Sequence, residues 1–176
     1  MSHGHRRSLR LKGHSYIEGG AYFITVCTYW RRCILGEIRD DEMHLNDLGV
    51  AVAQAWRATP DHFPLVQNDA FVVMPNHIHG LLLIGHGVGA KHASPLHHPP
   101  RGALSGSVPA IVQSFKSAAT RSAHLSGIVH EDGIWQRGFH DRVVRNEGEL
   151  NRIRAYIDEN PLRWSLDREN PLRLSP

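Results

Sequence analysis

The stretch Phe71-Val72-Val73-Met74-Pro75-Asn76-His77-Ile78-His79-Gly80-Leu81-Leu82-Leu83-Ile84 decides how this chain is read. In a strand successive side chains alternate, so His77, His79, Leu81 and Leu83 share one face and Ile78, Leu82 and Ile84 the other. A run that is apolar on both faces is a central strand, covered on both sides. A second strand, roughly Leu65 to Val73, precedes it. Met74-Pro75-Asn76 is too short for a crossover helix, so the two strands form an antiparallel hairpin. Two imidazoles on such a face are either hydrogen-bonded core groups or arranged to hold something, most plausibly a divalent metal. The pair alone leaves both readings open.

Working outward, Gly19-Gly20 marks a turn before Ala21–Tyr29, a β-branched and aromatic run that reads as a strand. Arg31, Arg32 and the Ile34-Leu35-Gly36 step indicate a loop or short strand after it. Asn46 is an N-cap for a helix to about Thr59, with Leu48, Val52, Ala55 and Trp56 at helical spacing. A second helix runs from about Val108 to Leu125, apolar through Ile111, Val112, Phe115, Ala118 and Ala119, with Lys116 off that side. After the Asp132-Gly133 turn, Ile134–Arg145 reads as a further strand. Asn146 and Glu149 have the spacing of a capping box that opens a last helix, which stops near Asn160 before Pro161. The order β, α, β, β, α, β, α fits an α+β, ferredoxin-like (RRM-like) antiparallel sheet with helices on one face, plus an extra C-terminal helix.

Composition sets the outer limits. With 176 residues, 41% apolar and 21% charged, the chain is long enough for one cored domain. A net charge of +3 is compatible with a polyanionic partner without requiring one. Two cysteines make no disulfide framework and read as reduced thiols. No apolar run reaches the ~18 residues of a membrane span, and the N-terminus has no apolar signal core. The expectation is a cytoplasmic, nucleoid-associated protein. Residues 1–15 form a basic arm, which is either a solvated tail or a phosphate-contacting segment. Residues 16–165 are the domain, 85–107 within it form a Gly-, Pro- and His-rich loop expected to be mobile, and 166–176 are a tail.

Two places could carry chemistry beyond the histidine pair. The Ile134–Arg145 segment mixes cations and rings, as a single-stranded nucleic acid surface does, or as an ordinary solvated edge does. Arg137, His140, Arg142 and Arg145 there, with Lys116, are the candidate DNA contacts. On the last helix, Tyr156 and Asn160 are four apart and share a face. Alone, each is explained as a packing ring and a helix stop.

In combination these residues resemble the single-tyrosine HUH transposases of bacterial insertion sequences, and especially the REP-associated tyrosine transposases. The matching pieces are Arg6–Leu11, Gly20–Thr28, Val72–Gly80 with its MPNHIHG string, Phe115–Ser117, Trp135-Gln136 and Tyr156–Pro161, in the right order along nearly the whole chain. Two departures stand out: His140 and Arg142 occupy positions where many relatives have Tyr and His, and 85–107 matches no motif. The resemblance implies that His77, His79 and Asn160 hold one divalent metal ion, Mg2+ or Mn2+. It also implies that Tyr156 attacks a phosphodiester of single-stranded or hairpin DNA, leaving a 5′-phosphotyrosine and a free 3′-OH. A second 3′-OH could then reverse the step on another strand, and the protein could act as a monomer or homodimer. Two alternatives accompany this reading: a domesticated, non-catalytic hairpin or single-stranded DNA-binding protein, and a phosphohydrolase using the histidine pair without a covalent step. A histidine-triad hydrolase is disfavoured because Leu81 stands where a third histidine would be.

Overall fold

The computed structural model describes residues 19–85, 106–128, 130–167 and 169–171. The basic arm expected at 1–15 and nearly all of the 85–107 loop lie outside them. The main sheet has four strands: β1 (Gly20–Cys27), β4 (Val66–Met74), β5 (His77–Ile84) and β6 (His140–Val144). They lie in the order β4-β5-β1-β6, and every neighbouring pair is antiparallel. Helices α1 (Asp47–Arg57) and α3 (Val108–Leu125) cover one face, and α4 (Glu147–Asp158) lies on the other. A single turn, α2 (Thr59–His62), follows α1, and β2 (Gly36–Arg39) pairs with β3 (Glu42–Leu45) as a separate hairpin. The fold is α+β, with the strand order of a ferredoxin-like sandwich and a third helix on its second face.

Alternation along the central strands assigns every residue to a face. Tyr22, Ile24 and Val26 of β1 and Ile78, Leu82 and Ile84 of β5 join Leu48, Val52, Trp56, Ile111, Val112 and Phe115 in the larger core. On the opposite face, Leu81 of β5 and Phe23 of β1 pack with Ile153, Ile157 and Leu150 of α4. The sheet is therefore buried on both sides at its centre, as the two-sided apolar run requires. Gly80 is the exception in that run, and the reason is steric. A Cβ at this position would stand 2.1 Å from Cζ2 of Trp56. That indole stacks on Phe71 at 5.0 Å and meets Phe115 edge-on at 5.3 Å, so it has nowhere to retreat. Gly80→Ala is expected to overpack the core at a cost of about 3 kcal/mol. The thermal midpoint should fall by roughly 6–12 °C for a chain of this size, readable by calorimetry.

Two local expectations need correction. The β2–β3 hairpin replaces what read as a loop or short strand. Its two-residue turn is Asp40-Asp41, both left-handed at φ 50° and 61°. Turns of this kind are usually announced by Asn-Gly or Asp-Gly, and an Asp-Asp pair gives a weaker signal. Second, the strand expected from Ile134 begins only at His140. Residues 134–139 leave the sheet, making one isolated bridge between Trp135 and Thr28 before Gly138, at φ 81°, turns the chain into β6.

Helix α4 is seated by its start and its middle. The Asn146 side chain accepts from the Glu149 amide at 2.9 Å, and the Glu149 carboxylate accepts from the Arg145 amide at 2.9 Å, one residue earlier than in the usual box. Farther along, Arg154 makes two hydrogen bonds, of 2.8 and 2.6 Å, to the Asp69 carboxylate at a bulge in β4. These bonds hold the Asp69 carboxyl below its ordinary range. A folded-state value lower than the unfolded one means this stabilisation is complete above the unfolded pKa and is lost as pH falls through the folded value. Asp69→Asn should therefore lower the melting midpoint at pH 7 and flatten its fall on the acid side, as followed by thermal melts from pH 7 down to 3.

Candidate active site

The second face of the sheet carries the site. Antiparallel register sets Thr25 directly opposite His79 and Cys27 opposite His77, so all four side chains point toward α4. Both histidines are buried, His77 at 0% and His79 at 4% exposure. Their Nε2 atoms are 3.1 Å apart. Each Nδ1 is occupied from behind: His77 Nδ1 lies 2.9 Å from Asn76 Oδ1, and His79 Nδ1 lies 2.8 Å from Thr25 Oγ1.

The Asn76 contact fixes a tautomer. Its amide nitrogen donates to the carbonyls of Arg31 at 3.0 Å and Glu169 at 2.6 Å, so Oδ1 is what faces His77. An amide oxygen only accepts, so His77 carries its proton on Nδ1 and presents a bare Nε2 lone pair. Thr25 Oγ1 can donate or accept, so it holds the His79 ring in place without fixing its tautomer; His79 presents a bare Nε2 in the tautomer whose proton lies on Nδ1. Burial pushes both imidazoles toward the neutral form. His77 is held well below the ordinary histidine range by desolvation, then by His79 and Arg31, and His79 falls to about 3 by desolvation. Neutral imidazole is the form that binds metals.

Donor geometry fits a metal ion. Two nitrogens ~2.1 Å from one cation stand about 3.0 Å apart at a right angle and about 3.4 Å apart at a tetrahedral one. The observed 3.1 Å lies between these values. Asn160, just past α4, is 2% exposed, and its Oδ1 is buried without a hydrogen-bond partner among the described residues. A buried amide oxygen left in that state costs free energy unless something accepts its lone pairs, and a cation would. A fourth group, absent from the sequence expectations, is Asp167, whose Oδ2 lies 3.9 Å from His77 Nε2. Donor atoms of His77, His79 and Asp167 all fall within 4.8 Å of one another.

Tyr156 projects from α4 over this pair. Its hydroxyl is 3.2 Å from His79 Nε2, and its ring packs against His79 at 5.2 Å and edge-on against Phe23 at 6.0 Å. At 40% exposure it is also open to solvent, beside a cleft of about 300 Å³ lined by Phe23, Arg142, Glu149, Arg152 and Ile153. His77, His79 and Tyr156 thus meet in space within a single chain, although Tyr156 is far along the sequence from the pair.

The candidate DNA contacts separate into two groups. His140 and Arg142 on β6 pair with Thr25 and Phe23, so they stand on the site's face, exposed, one strand away. Arg142 is ion-paired with Glu149. Arg137 lies before β6 and Arg145 after it, both exposed. Lys116 is different. Its Nζ donates to the carbonyls of Gln136 at 2.7 Å and Gly138 at 3.0 Å, so it ties down the irregular 134–139 segment from the α3 side. Sequence reasoning overlooked Asn76, Thr25 and Asp167. The first two carried a signal, since Asn76 adjoins His77 and Thr25 shares the alternation of β1. Asp167 carried none.

No protein-family model matches the chain. It is 38% identical over 167 residues to an uncharacterized protein of Haemophilus influenzae, spanning 93% of this chain and 92% of that one. The two belong to one family. Among solved structures, the chain resembles a REP-associated tyrosine transposase bound to a REP hairpin, with a TM-score of 0.56 and 20% identity over 93% of this chain and 74% of that one. The fold is that of a REP-associated tyrosine transposase. No helix among the described residues is long and apolar enough to cross a membrane.

Proposed function

We propose that this protein nicks and rejoins single-stranded or hairpin DNA through a covalent bond to Tyr156, as a transposase-like enzyme of the REP-associated branch. The observation that carries the reading is the Tyr156 hydroxyl 3.2 Å from a neutral, buried His79 whose Nε2 faces that of His77. A divalent cation, Mg2+ or Mn2+, held by His77, His79 and Asn160 would polarise the scissile phosphate and stabilise charge developing on its oxygens. The remaining chemistry belongs to the chain. Tyr156 Oη forms a bond to phosphorus, and the bond from phosphorus to the 3′ oxygen breaks. The phenolic proton is lost to water, and the departing 3′ oxygen takes one up. A phenol with a pKa near ~10 is mostly protonated at neutral pH, so the step depends on the charge stabilisation around it. Because the phosphotyrosine conserves the bond energy, a 3′-OH from another strand can reverse the step without ATP.

Phe23 and the Tyr156 ring offer apolar faces beside the reacting atoms, and Arg142 and Arg152 line the adjoining cleft as phosphate partners. His77, His79 and Tyr156 lie together within one chain, which supports a first step carried out by a monomer. The fold's likeness to a transposase solved with a REP hairpin supports hairpin DNA as the substrate class. The test is a hairpin oligonucleotide labelled separately at each end and incubated with Mn2+. The fragment 3′ of the nick should migrate as a protein adduct, while the 5′ fragment stays free with a 3′-OH. Free fragments on both sides would indicate simple hydrolysis and overturn the reading.

A further inference from the structure

We infer that Asp167 is a ligand of the same metal ion, so that metal binding is coupled to the seating of the segment that follows α4. This inference rests on the metal-dependent reading above and adds a donor which that reading does not contain. The Asp167 side chain is 7% exposed, and among the described residues its only ion-pair partner is His77, whose Nε2 lies 3.9 Å from Asp167 Oδ2. A buried carboxylate ordinarily demands a countercharge, and here it stands within 4.8 Å of the ligand nitrogens of both histidines. A divalent cation supplies that charge.

Geometry allows the bond. Donors ~2.1 Å from one ion lie no more than about 4.2 Å apart. The separations of 3.1 Å between the histidines and 3.9 Å between His77 and Asp167 satisfy that limit as they stand. The third, at most 4.8 Å, closes with a small rotation of the carboxylate. Asp167 Oδ1 accepts from the Glu169 amide at 2.7 Å, which leaves Oδ2 as the oxygen turned toward His77. Two imidazoles, an amide oxygen and a carboxylate form a donor set suited to Mn2+ or Mg2+.

The segment that carries Asp167 is built into the site. A 3-10 stretch, Pro161–Leu166, begins just after Asn160 and places Trp164 6.2 Å from the His77 ring. Beyond Asp167, the Glu169 carboxylate pairs with Arg31 Nε at 2.7 Å, and its carbonyl accepts from Asn76, the residue that fixes the His77 tautomer. Asn170 donates back to the Trp164 carbonyl at 2.9 Å. Two of the four donors, Asn160 and Asp167, therefore arrive on one short run of chain. A ligand that binds only the seated form stabilises seating by the same free energy.

Titrating the full-length protein with Mn2+, without DNA, tests this by calorimetry together with amide hydrogen exchange. Asp167→Asn keeps the shape and the bond from the Glu169 amide while removing the charge. It should weaken Mn2+ binding at least tenfold. Saturating Mn2+ should slow exchange across 161–167 in the wild type, and Asp167→Asn should lose most of that protection at the same concentration. Equal Mn2+ affinity in the two proteins would overturn the inference, as would wild-type exchange in this segment that ignores Mn2+. Wild-type protein that binds Mn2+ through Asp167 but forms no DNA adduct would instead sink the nicking reading and leave this inference standing.

Discussion

Tyr156→Phe is expected to abolish the covalent protein–DNA adduct and to lower hairpin cleavage by at least roughly 10³-fold, since it removes the attacking atom itself. The substitution is a clean one here. The ring that packs against Phe23 and His79 is kept, and only a hydroxyl on a partly exposed side chain is lost, so the melting midpoint should move little. Adduct formation on denaturing gels, read beside a thermal melt, separates loss of the nucleophile from loss of the fold. Cleavage that survives in Tyr156→Phe at the wild-type rate would mean that water is the nucleophile and that Tyr156 only packs.

His79→Ala should have a comparably large effect for a different reason. It removes one of two facing nitrogens 3.1 Å apart, and with it the hydroxyl contact of Tyr156. Mn2+ binding should become too weak to detect at concentrations that saturate the wild type, and cleavage should fall by roughly 10²-fold or more. Unlike the tyrosine change, this one also costs stability. Thr25 Oγ1 loses its partner, and a buried ring is replaced by a void, together costing about 2 kcal/mol. Calorimetric titration with Mn2+ and a melt in excess chelator read the two effects separately. Retained Mn2+ affinity in His79→Ala would place the metal elsewhere.

These outcomes bear on residues with different visibility in the sequence. The strand pairing around His77–Ile84 was legible because a hairpin and a two-sided apolar run both leave a period-two pattern. That pattern also assigned both imidazoles to one face. Helix α3 was legible from the helical spacing of Ile111, Val112, Phe115 and Ala119, and α4 from its Asn146 cap and the Pro161 that follows it. The Asp40-Asp41 turn and the departure of 134–139 from the sheet were not. The first uses an uncommon pair for a left-handed turn, and the second is held by contacts to Thr28, Cys27 and Lys116 from distant parts of the chain.

The site divides along the same line. Sequence by itself determined that His77 and His79 project together, that Tyr156 and Asn160 share a helix face, and that the order of elements is that of a ferredoxin-like sandwich with one helix to spare. Those are consequences of local periodicity, which a single strand or helix enforces on its own. Only tertiary structure decided that the spare helix lies over the histidine face, that Asn76 and Thr25 hold both imidazoles from behind with their Nε2 atoms facing each other, and that Asp167 comes back to face them. Each of these depends on which surfaces meet when the sheet is covered. Residues 93 positions apart in sequence, such as Asn76 and Glu169, carry no mark of a meeting that packing alone brings about.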